Sequence, residues 1–505
     1  MIARRLALSV VLLERGAHPR FAIGESSSPL ANILLETLAE RYDLPRLAPL
    51  ARYGSWCRAY PSVARGLKRG FTFYAHRPGQ PFGGDAERRD QLLVAASPRD
   101  EIADTHWYRP DFDQFLVVEA QEAGAVYLDR AQLESAEEQD DGLVLEGTRA
   151  GESLTVSARL VVDASGPRGF LKRALGIGEA AFPILPQTEA LYAHFRGVRR
   201  LDSLPPFAKG QAPPYPIDDA AVHHVFPGGW IWVLRFDNGI VSAGTVATAR
   251  LAHEIGFADG EAAWRLLLDR LPTVRDQFRG SETIVPFVHR PGLSFRAERA
   301  SGAHWTLLPS AAAFVDPLLS TGFPLTLLGI ERLGRTLEAD WGSTRLSATL
   351  AGDARRSLFE ADAAALLIGA LYATFDDFEL FAALCRLYFA AASYSEAARR
   401  LSRQELAGSF LCADRADFGP ALRVCCEAAL ADSRRHRTGR EALFRGVLEA
   451  IAPIDVAGLS DASRRNWFPV DARDLLRGAP KLRASEREVL GMLERTGLLH
   501  ARTVP

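Results

Sequence analysis

Lysine is scarce in this sequence: Lys68, Lys172, Lys209 and Lys481 are its only four, and arginine carries the rest of the positive charge. Lys68 opens Lys68-Arg69-Gly70-Phe71-Thr72-Phe73, a run of small and aromatic residues. An amine held out of water gives up its charge more readily than a solvated one, so a buried lysine there can donate a proton or act as a nucleophile near neutral pH. A second group, Phe314-Val315-Asp316-Pro317-Leu318-Leu319-Ser320-Thr321-Gly322, is a small-residue turn ahead of a helical pattern over 325–337. Free N–H groups and the positive dipole end at such a helix start suit an anion or the electron-rich edge of a heterocycle. Two acids close apolar runs: Glu14 ends Ser9-Val10-Val11-Leu12-Leu13, and Asp163 ends Leu160-Val161-Val162. An acid at such a strand end is placed to accept hydrogen bonds from ribose hydroxyls.

The elements that must position these residues follow from hydrophobic periodicity. Residues 9–14 read as a buried parallel strand, preceded by the end of a helix over 1–8. Residues 111–124 read as a helix with Phe112, Phe115, Leu116 and Ala120 on one face and Gly124 as its stop. Strand-like runs follow at 143–147 and 153–163. Alternation then dominates 188–290, clearest in Trp230-Ile231-Trp232-Val233-Leu234-Arg235-Phe236, where Trp230, Trp232, Leu234 and Phe236 share a face. Proline-rich loops at 204–216 mark a boundary or an insertion. From about 335 onward the chain is Ala-, Leu- and Arg-rich with helical spacing to its end.

The order αβ, mixed β, α/β and α predicts an α/β protein, α+β overall, with a nucleotide-type unit interrupted by a sheet and closed by helices. Its 505 residues, 48% hydrophobic, suffice for two or three packed units. Sixty Lys+Arg against 62 Asp+Glu give a net charge of −2, which disfavours nucleic acid or an anionic membrane as the main partner. Five scattered cysteines without a C-x-x-C pair fit a reducing, cytoplasmic setting. Met1–Glu14 lacks the cleavage site of a signal peptide, and no apolar run reaches membrane-spanning length. His18, His76, His106 and His223-His224 lack metal-ligand spacing, so no metal is expected. Asp140-Asp141 and Asp376-Asp377 read as solvated loops.

The motifs together resemble the flavin-dependent halogenases of the tryptophan-halogenase type, within the wider FAD monooxygenases. The resemblance covers roughly residues 1–335. Phe314-x-x-Pro317-x-x-Ser320-x-Gly322 matches the family's F-x-x-P-x-x-S-x-G pattern in full, and Lys68-x-Gly70-x-x-Phe73 matches the neighbourhood of its catalytic lysine. Trp230-Ile231-Trp232 matches the first half of its W-x-W-x-I-P motif. The resemblance implies a Rossmann-like FAD domain over 1–185 and 291–335, an inserted sheet-rich substrate domain over 186–290, and an all-α C-terminal domain over 336–505. It implies that Lys68 captures hypohalous acid and hands on electrophilic halogen, and that Ser320, Thr321 and Gly322 hold chloride or bromide. Glu14, Arg15, Gly24, Ser26, Arg109 and Asp163 are implied to surround FAD, with Gly166, Ser310, Pro317, Thr321 and Gly322 at its ring and ribityl chain. Trp230 and Trp232 are implied to line the substrate pocket. The substrate would be an electron-rich aromatic, free or carrier-bound, and reduced flavin would come from a separate reductase, since no second glycine fingerprint is present.

Three departures accompany the resemblance. Leu234-Arg235 replaces Ile-Pro after the tryptophans, which leaves room for an oxygenase. Leu308-Pro309-Ser310 stands where the family has Gly-Asp. The family's first strand and G-x-G-x-x-G loop have no counterpart, so the sequence implies an N-terminally truncated FAD unit that binds FAD poorly. Alternatives are therefore a flavin-dependent hydroxylase or reductase on the same scaffold, or a non-catalytic remnant that keeps only substrate binding.

Overall fold

The computed structural model describes residues 5–84, 86–208, 211–433 and 439–499. The apolar run at the N-terminus forms β1 (Val11–Leu13). Half of the helix expected ahead of it, Met1–Arg4, lies outside the described residues. Ser28 caps α1 (Pro29–Arg41) by accepting the Ala31 N–H at 3.3 Å, and Pro29 occupies the first turn, where no N–H is needed. Then come β2 (Arg65–Lys68), β3 (Gly70–Ala75), β4 (Gln91–Ala95) and β5 (Asp104–Trp107). Helix α2 (Arg109–Glu122) carries the 111–124 pattern, and Gly124 beyond it takes φ +94°. Strand β6 (Val126–Leu128) returns parallel to β1.

An antiparallel meander follows, β7 (Ala131–Gln139), β8 (Gly142–Arg149) and β9 (Glu152–Ala158), and then β10 (Val161–Asp163). Next are β11 (Glu179–Ala180), β12 (Thr188–Arg196), β13 (Ala221–Phe226), β14 (Gly229–Arg235), β15 (Val241–Thr248), β16 (Glu282–Thr283) and β17 (Val288–Arg290). Strands β18 (Phe295–Ala297), β19 (Trp305–Leu307) and β20 (Ala313–Phe314) lead into α3 (Gly322–Asp340). Two long helices succeed it, α4 (Leu346–Tyr372) and α5 (Phe378–Arg400), and β21 (Trp467–Phe468) lies near the end.

Among the described residues the largest sheet has nine strands, β16-β12-β15-β14-β13-β3-β4-β21, with β17 also on β12. Both of its faces are covered. Along β14, Trp230, Trp232 and Leu234 enter one core, while Ile231 and Val233 enter another, as period-two alternation requires. The first core is closed by α4 and α5, and Phe71 and Phe73 of β3 meet Phe389 and Phe381 of α5 edge to face. Helix α5 starts at Asp377, whose carboxylate accepts the Leu380 N–H at 3.4 Å. Asp377 is thus a buried cap, not a solvated loop residue.

The sheet is not confined to 186–290. Parallel pairing of β3 with β13 brings residues 70–95 into it, and β21 joins from the helical region by pairing with β4. Apart from that two-residue strand, the regular elements described beyond residue 336 are helices, as expected, and they wall one face of the sheet. The nucleotide-type strands form two separate parallel pairs, β1–β6 and β10–β19. Among the described residues β1 pairs with β6 alone, and Val11 and Leu12 are 43% and 38% exposed, where the sequence predicts a buried strand.

Candidate functional site

Strand β2 pairs antiparallel with β5, placing Lys68 opposite Asp104 and Gly66 opposite His106. Opposed residues share a face, as do residues two apart on one strand, so Lys68, Asp104 and His106 project to the same side. Residues 25–27 run along the other edge of β5, where Ser26 pairs with His106 and Ser27 bonds Thr105. Lys68 lies across β5 between these edges and is wholly buried. Its Nζ donates to Ser26 Oγ at 2.9 Å and to the Ser27 carbonyl, and sits 3.8 Å from the centroid of the Phe71 ring.

Burial lowers the Lys68 pKa from its ordinary value, and the Asp104 charge opposes that fall. The same burial raises Asp104, opposed by Lys68 and by the Asn32 amide, which donates to Asp104 Oδ1 at 2.7 Å. His106 is pushed down to about 3 by burial, with the Lys68 charge adding to it, so its imidazole is neutral. Among the described residues, Asp104 Oδ2, His106 Nδ1 and Asn32 Oδ1 are buried without a hydrogen-bond partner.

At the end of β5, Trp107 packs against Phe323 of α3 with the rings tilted by 35° and their centroids 4.2 Å apart, and the Arg109 guanidinium lies 5.9 Å over the Phe323 ring. Arg109 pairs with Asp113 through two bonds of 2.7 and 2.8 Å and donates to the carbonyls of Ile23 and Gly24 at 3.0 Å each. The start of α3 is thereby held beside β5. Ahead of it, Pro317 begins a turn in which Leu319 and Ser320 both adopt left-handed φ, 64° and 53°. Two successive non-glycine residues in that region cost strain, as they do at Leu411–Cys412 and Arg465–Asn466. Thr321 is buried, Gly322 is exposed, and a methyl group at Gly322 would meet nothing within 4 Å.

The structure brings together Lys68, Ser26, Gly24, Arg109 and the start of α3. The acids stand apart at the carboxyl ends of the two parallel strand pairs. Glu14 accepts the Gly16 N–H at 2.7 Å and Arg20 at 3.4 Å, and Arg15 beside it is exposed. Asp163 is satisfied by its own chain: Oδ1 takes Ser165 N–H at 2.8 Å and Ser165 Oγ at 2.5 Å, and Oδ2 takes Leu171 N–H at 2.7 Å. It caps the segment carrying Gly166 (φ +80°), and each of its oxygens already accepts from its own chain. Ser310 lies in the one-turn helix Pro309–Ala312, just after β19, which pairs Leu307 with Asp163.

Trp230 and Trp232 are core residues. Their indole N–H groups bond Tyr372 and Ser242 at 3.1 and 3.2 Å, both side chains are buried, and neither lines the cavity formed against α5. A cavity of about 110 Å³ lies between β3, β4, α5 and the C-terminal segment. Phe71, Val94, Tyr388, Phe389, Ala392 and Met492 supply apolar walls, with the Glu396–Arg400 pair (2.8 Å) at its side. Phe71 carries Lys68 on its ring and forms this wall.

Sequence reading missed Asp104, Asn32 and the α5 wall. The alternation Asp104-x-His106 just ahead of Trp107 is the signal for the first; nothing in the helical pattern marks the cavity residues. Among the described residues no three His, Cys, Asp or Glu side chains are grouped to hold a metal ion, and no helix is long and apolar enough to cross a membrane.

A family model for tryptophan halogenase matches residues 105–373, just over half of the chain. The chain is 29% identical over 336 residues to the tetracycline 7-halogenase of Kitasatospora aureofaciens, covering 65% of this chain and 59% of that protein. It is 29% identical over 334 residues to the monodechloroaminopyrrolnitrin halogenase PrnC of Pseudomonas fluorescens, covering 65% and 57%. The matched stretch thus spans a little under three fifths of these curated relatives. In fold it is similar to the crystal structure of halogenase PltM in complex with phloroglucinol and FAD, with a TM-score of 0.81, 23% identity, and 92% of this chain and 95% of that one covered.

Proposed function

The chain belongs to the tryptophan halogenase family, and from that premise we propose that it transfers electrophilic halogen, made from chloride or bromide, to an electron-rich aromatic ring. Reduced FAD, when bound, supplies with dioxygen the oxidising power that converts halide to hypohalous acid. The residues present fit its ring: Gly322 leaves open space, and a methyl group at Gly24 would meet only the Arg109 guanidinium, at 3.6 Å, while the Ser320 N–H is spent on the Pro317 carbonyl at 3.1 Å. Ser26, Arg109, Pro317 and Ser320–Gly322 would hold the ring and halide, with Gly166 and Ser310 along the ribityl chain. Glu14 and Arg15 would face the adenosine. Asp163 would act through the segment it caps.

The observation that carries the reading is Lys68, a wholly buried amine whose supporting Phe71 also walls an apolar cavity. Two of its N–H bonds go to Ser26 and Ser27, leaving one for the oxidant. The acceptor would be a small aromatic seated against Phe71, Tyr388 and Phe389, free or presented by a carrier, with a phenolic ring of the kind bound by PltM as a suitable probe. A cytoplasmic flavin reductase would supply reduced FAD.

The test is incubation with FAD, a flavin reductase, NADH, bromide and phloroglucinol, read by mass spectrometry. A halide-dependent bromine isotope pattern that vanishes in Lys68→Met supports the reading. A halide-independent gain of one oxygen supports hydroxylation, the reading favoured by Leu234-Arg235 in place of Ile-Pro.

A further inference from the structure

We propose that Asp104 is a positioning residue that holds the charge on the Lys68 ammonium, whose aim is set by Ser26, Ser27 and the Phe71 ring. The inference rests on the reading of Lys68 as the residue that meets the oxidant. It starts from register: Lys68 and Asp104 are directly opposed across β2 and β5, a placement that holds their Cβ atoms about 4.5–5.5 Å apart. An ammonium taken wholly out of water needs a counter-charge, and Asp104 is the acid on its own face. The carboxylate is itself anchored, since the Asn32 amide donates to Oδ1 at 2.7 Å from α1. Its Oδ2 makes no hydrogen bond, so half of the carboxylate is uncommitted in a closed space.

The other groups facing the pair do not substitute for Asp104. His106 of β5 and His223 of β13 act on Lys68 and are both pushed down to about 3 by burial, so they carry no charge at neutral pH. Glu396 and Arg400 of α5 act on Asp104 with opposite signs and are paired at 2.8 Å. Tyr388 of α5 also faces Asp104, and its phenol is buried and neutral. Ser26 and Ser27 on the near segment only accept hydrogen bonds from Nζ. The charge of Lys68 thus depends on Asp104. A charged Lys68 offers its remaining N–H as a donor, whereas a neutral one offers a lone pair.

The scarcity of lysine makes this measurable on the free protein. With 13C-lysine labelling, four Cε signals are expected, and the one missing in Lys68→Met is assigned to Lys68. In Asp104→Asn the Lys68 titration midpoint is expected to fall by about one pH unit or more, with the other three signals unmoved, and Asp104→Glu should recover part of the shift. If Asp104→Asn does not fold, Asn32→Ser serves: losing the amide donor disfavours the carboxylate, so the Lys68 midpoint falls in the same direction. An unchanged Lys68 midpoint in the folded variants overturns the proposal. The titration needs no turnover, so a Lys68→Met chain that still halogenates would sink the functional reading while leaving this result intact.

Discussion

The Trp230 indole N–H donates to the Tyr372 hydroxyl at 3.1 Å, and that hydroxyl donates onward to Asp316 Oδ2 at 2.9 Å. Asp316 Oδ1 takes the Leu318 N–H at 2.9 Å. A single buried chain of hydrogen bonds therefore joins the large sheet, the end of α4 and the turn that carries Ser320–Gly322. This explains why a tryptophan of the W-x-W run sits in the core. Its polar handle anchors the turn from behind.

Removing the middle of the chain should be costly. Tyr372→Phe leaves both the Trp230 N–H and Asp316 Oδ2 buried and unpaired, and each orphan costs about 1–3 kcal/mol. The expected result is a lower urea midpoint with an unchanged slope. A variant as stable as the parent would show that the chain contributes nothing net.

Asp316 gives the same network a pH dependence. Burial raises its carboxyl from the ordinary 3.8 to about 7, against the hydrogen bonds from Leu318 and Tyr372. The folded state therefore binds a proton that the unfolded state has already lost between about pH 4 and 7. Stability from this group is fully present below the unfolded pKa and is lost as pH rises toward 7, by at most about 1.4 kcal/mol per unit. Asp316→Asn cannot titrate, so the stability gap between parent and variant should shrink from pH 5 to pH 8. A gap that stays constant across that range would refute the assignment.

The parts of this arrangement that were legible in the sequence are those written in local pattern. Alternation along Trp230–Phe236 gave the strand and its buried face, and the small residues of 314–322 gave the turn into α3. What was not legible depends on pairing between distant segments. No local signal says that 70–75 lies parallel to 221–226, and that pairing alone draws β3 and β4 out of the nucleotide-type region. Lys68 was legible by its rarity, but Asp104 acquires meaning only through the β2–β5 register. Asp163 does close a strand, and the bonds it accepts from Ser165 and Leu171 of its own chain are not written in the strand pattern.

The cavity beside Phe71 yields a steric prediction. Ala392 of α5 lines it, and Ala392→Leu adds three carbons toward its interior without a polar cost. Helix propensity is nearly unaffected, so the fold should persist. The aromatic acceptor should bind at least about tenfold more weakly, the effect of losing one or two methylene-sized contacts. FAD affinity, read by flavin fluorescence, should not change. Equal acceptor binding in parent and variant would place the acceptor elsewhere.

Gly322 separates a structural from a ligand-contacting role most sharply. It begins α3, its φ is not in the left-handed region, and a methyl group there would touch nothing of the protein within 4 Å. Alanine is also the better helix residue, so on internal grounds Gly322→Ala should leave stability within about 0.5–1 kcal/mol of the parent or raise it. The space the methyl would fill is the space assigned to halide and the flavin ring, beside backbone N–H groups that must approach them closely. The expected outcome is an unchanged melting temperature with a weakened FAD affinity and a raised halide KM. If melting, FAD affinity and halide KM are all unchanged, the open face of this turn does not contact either ligand, and the site must be sought along another element.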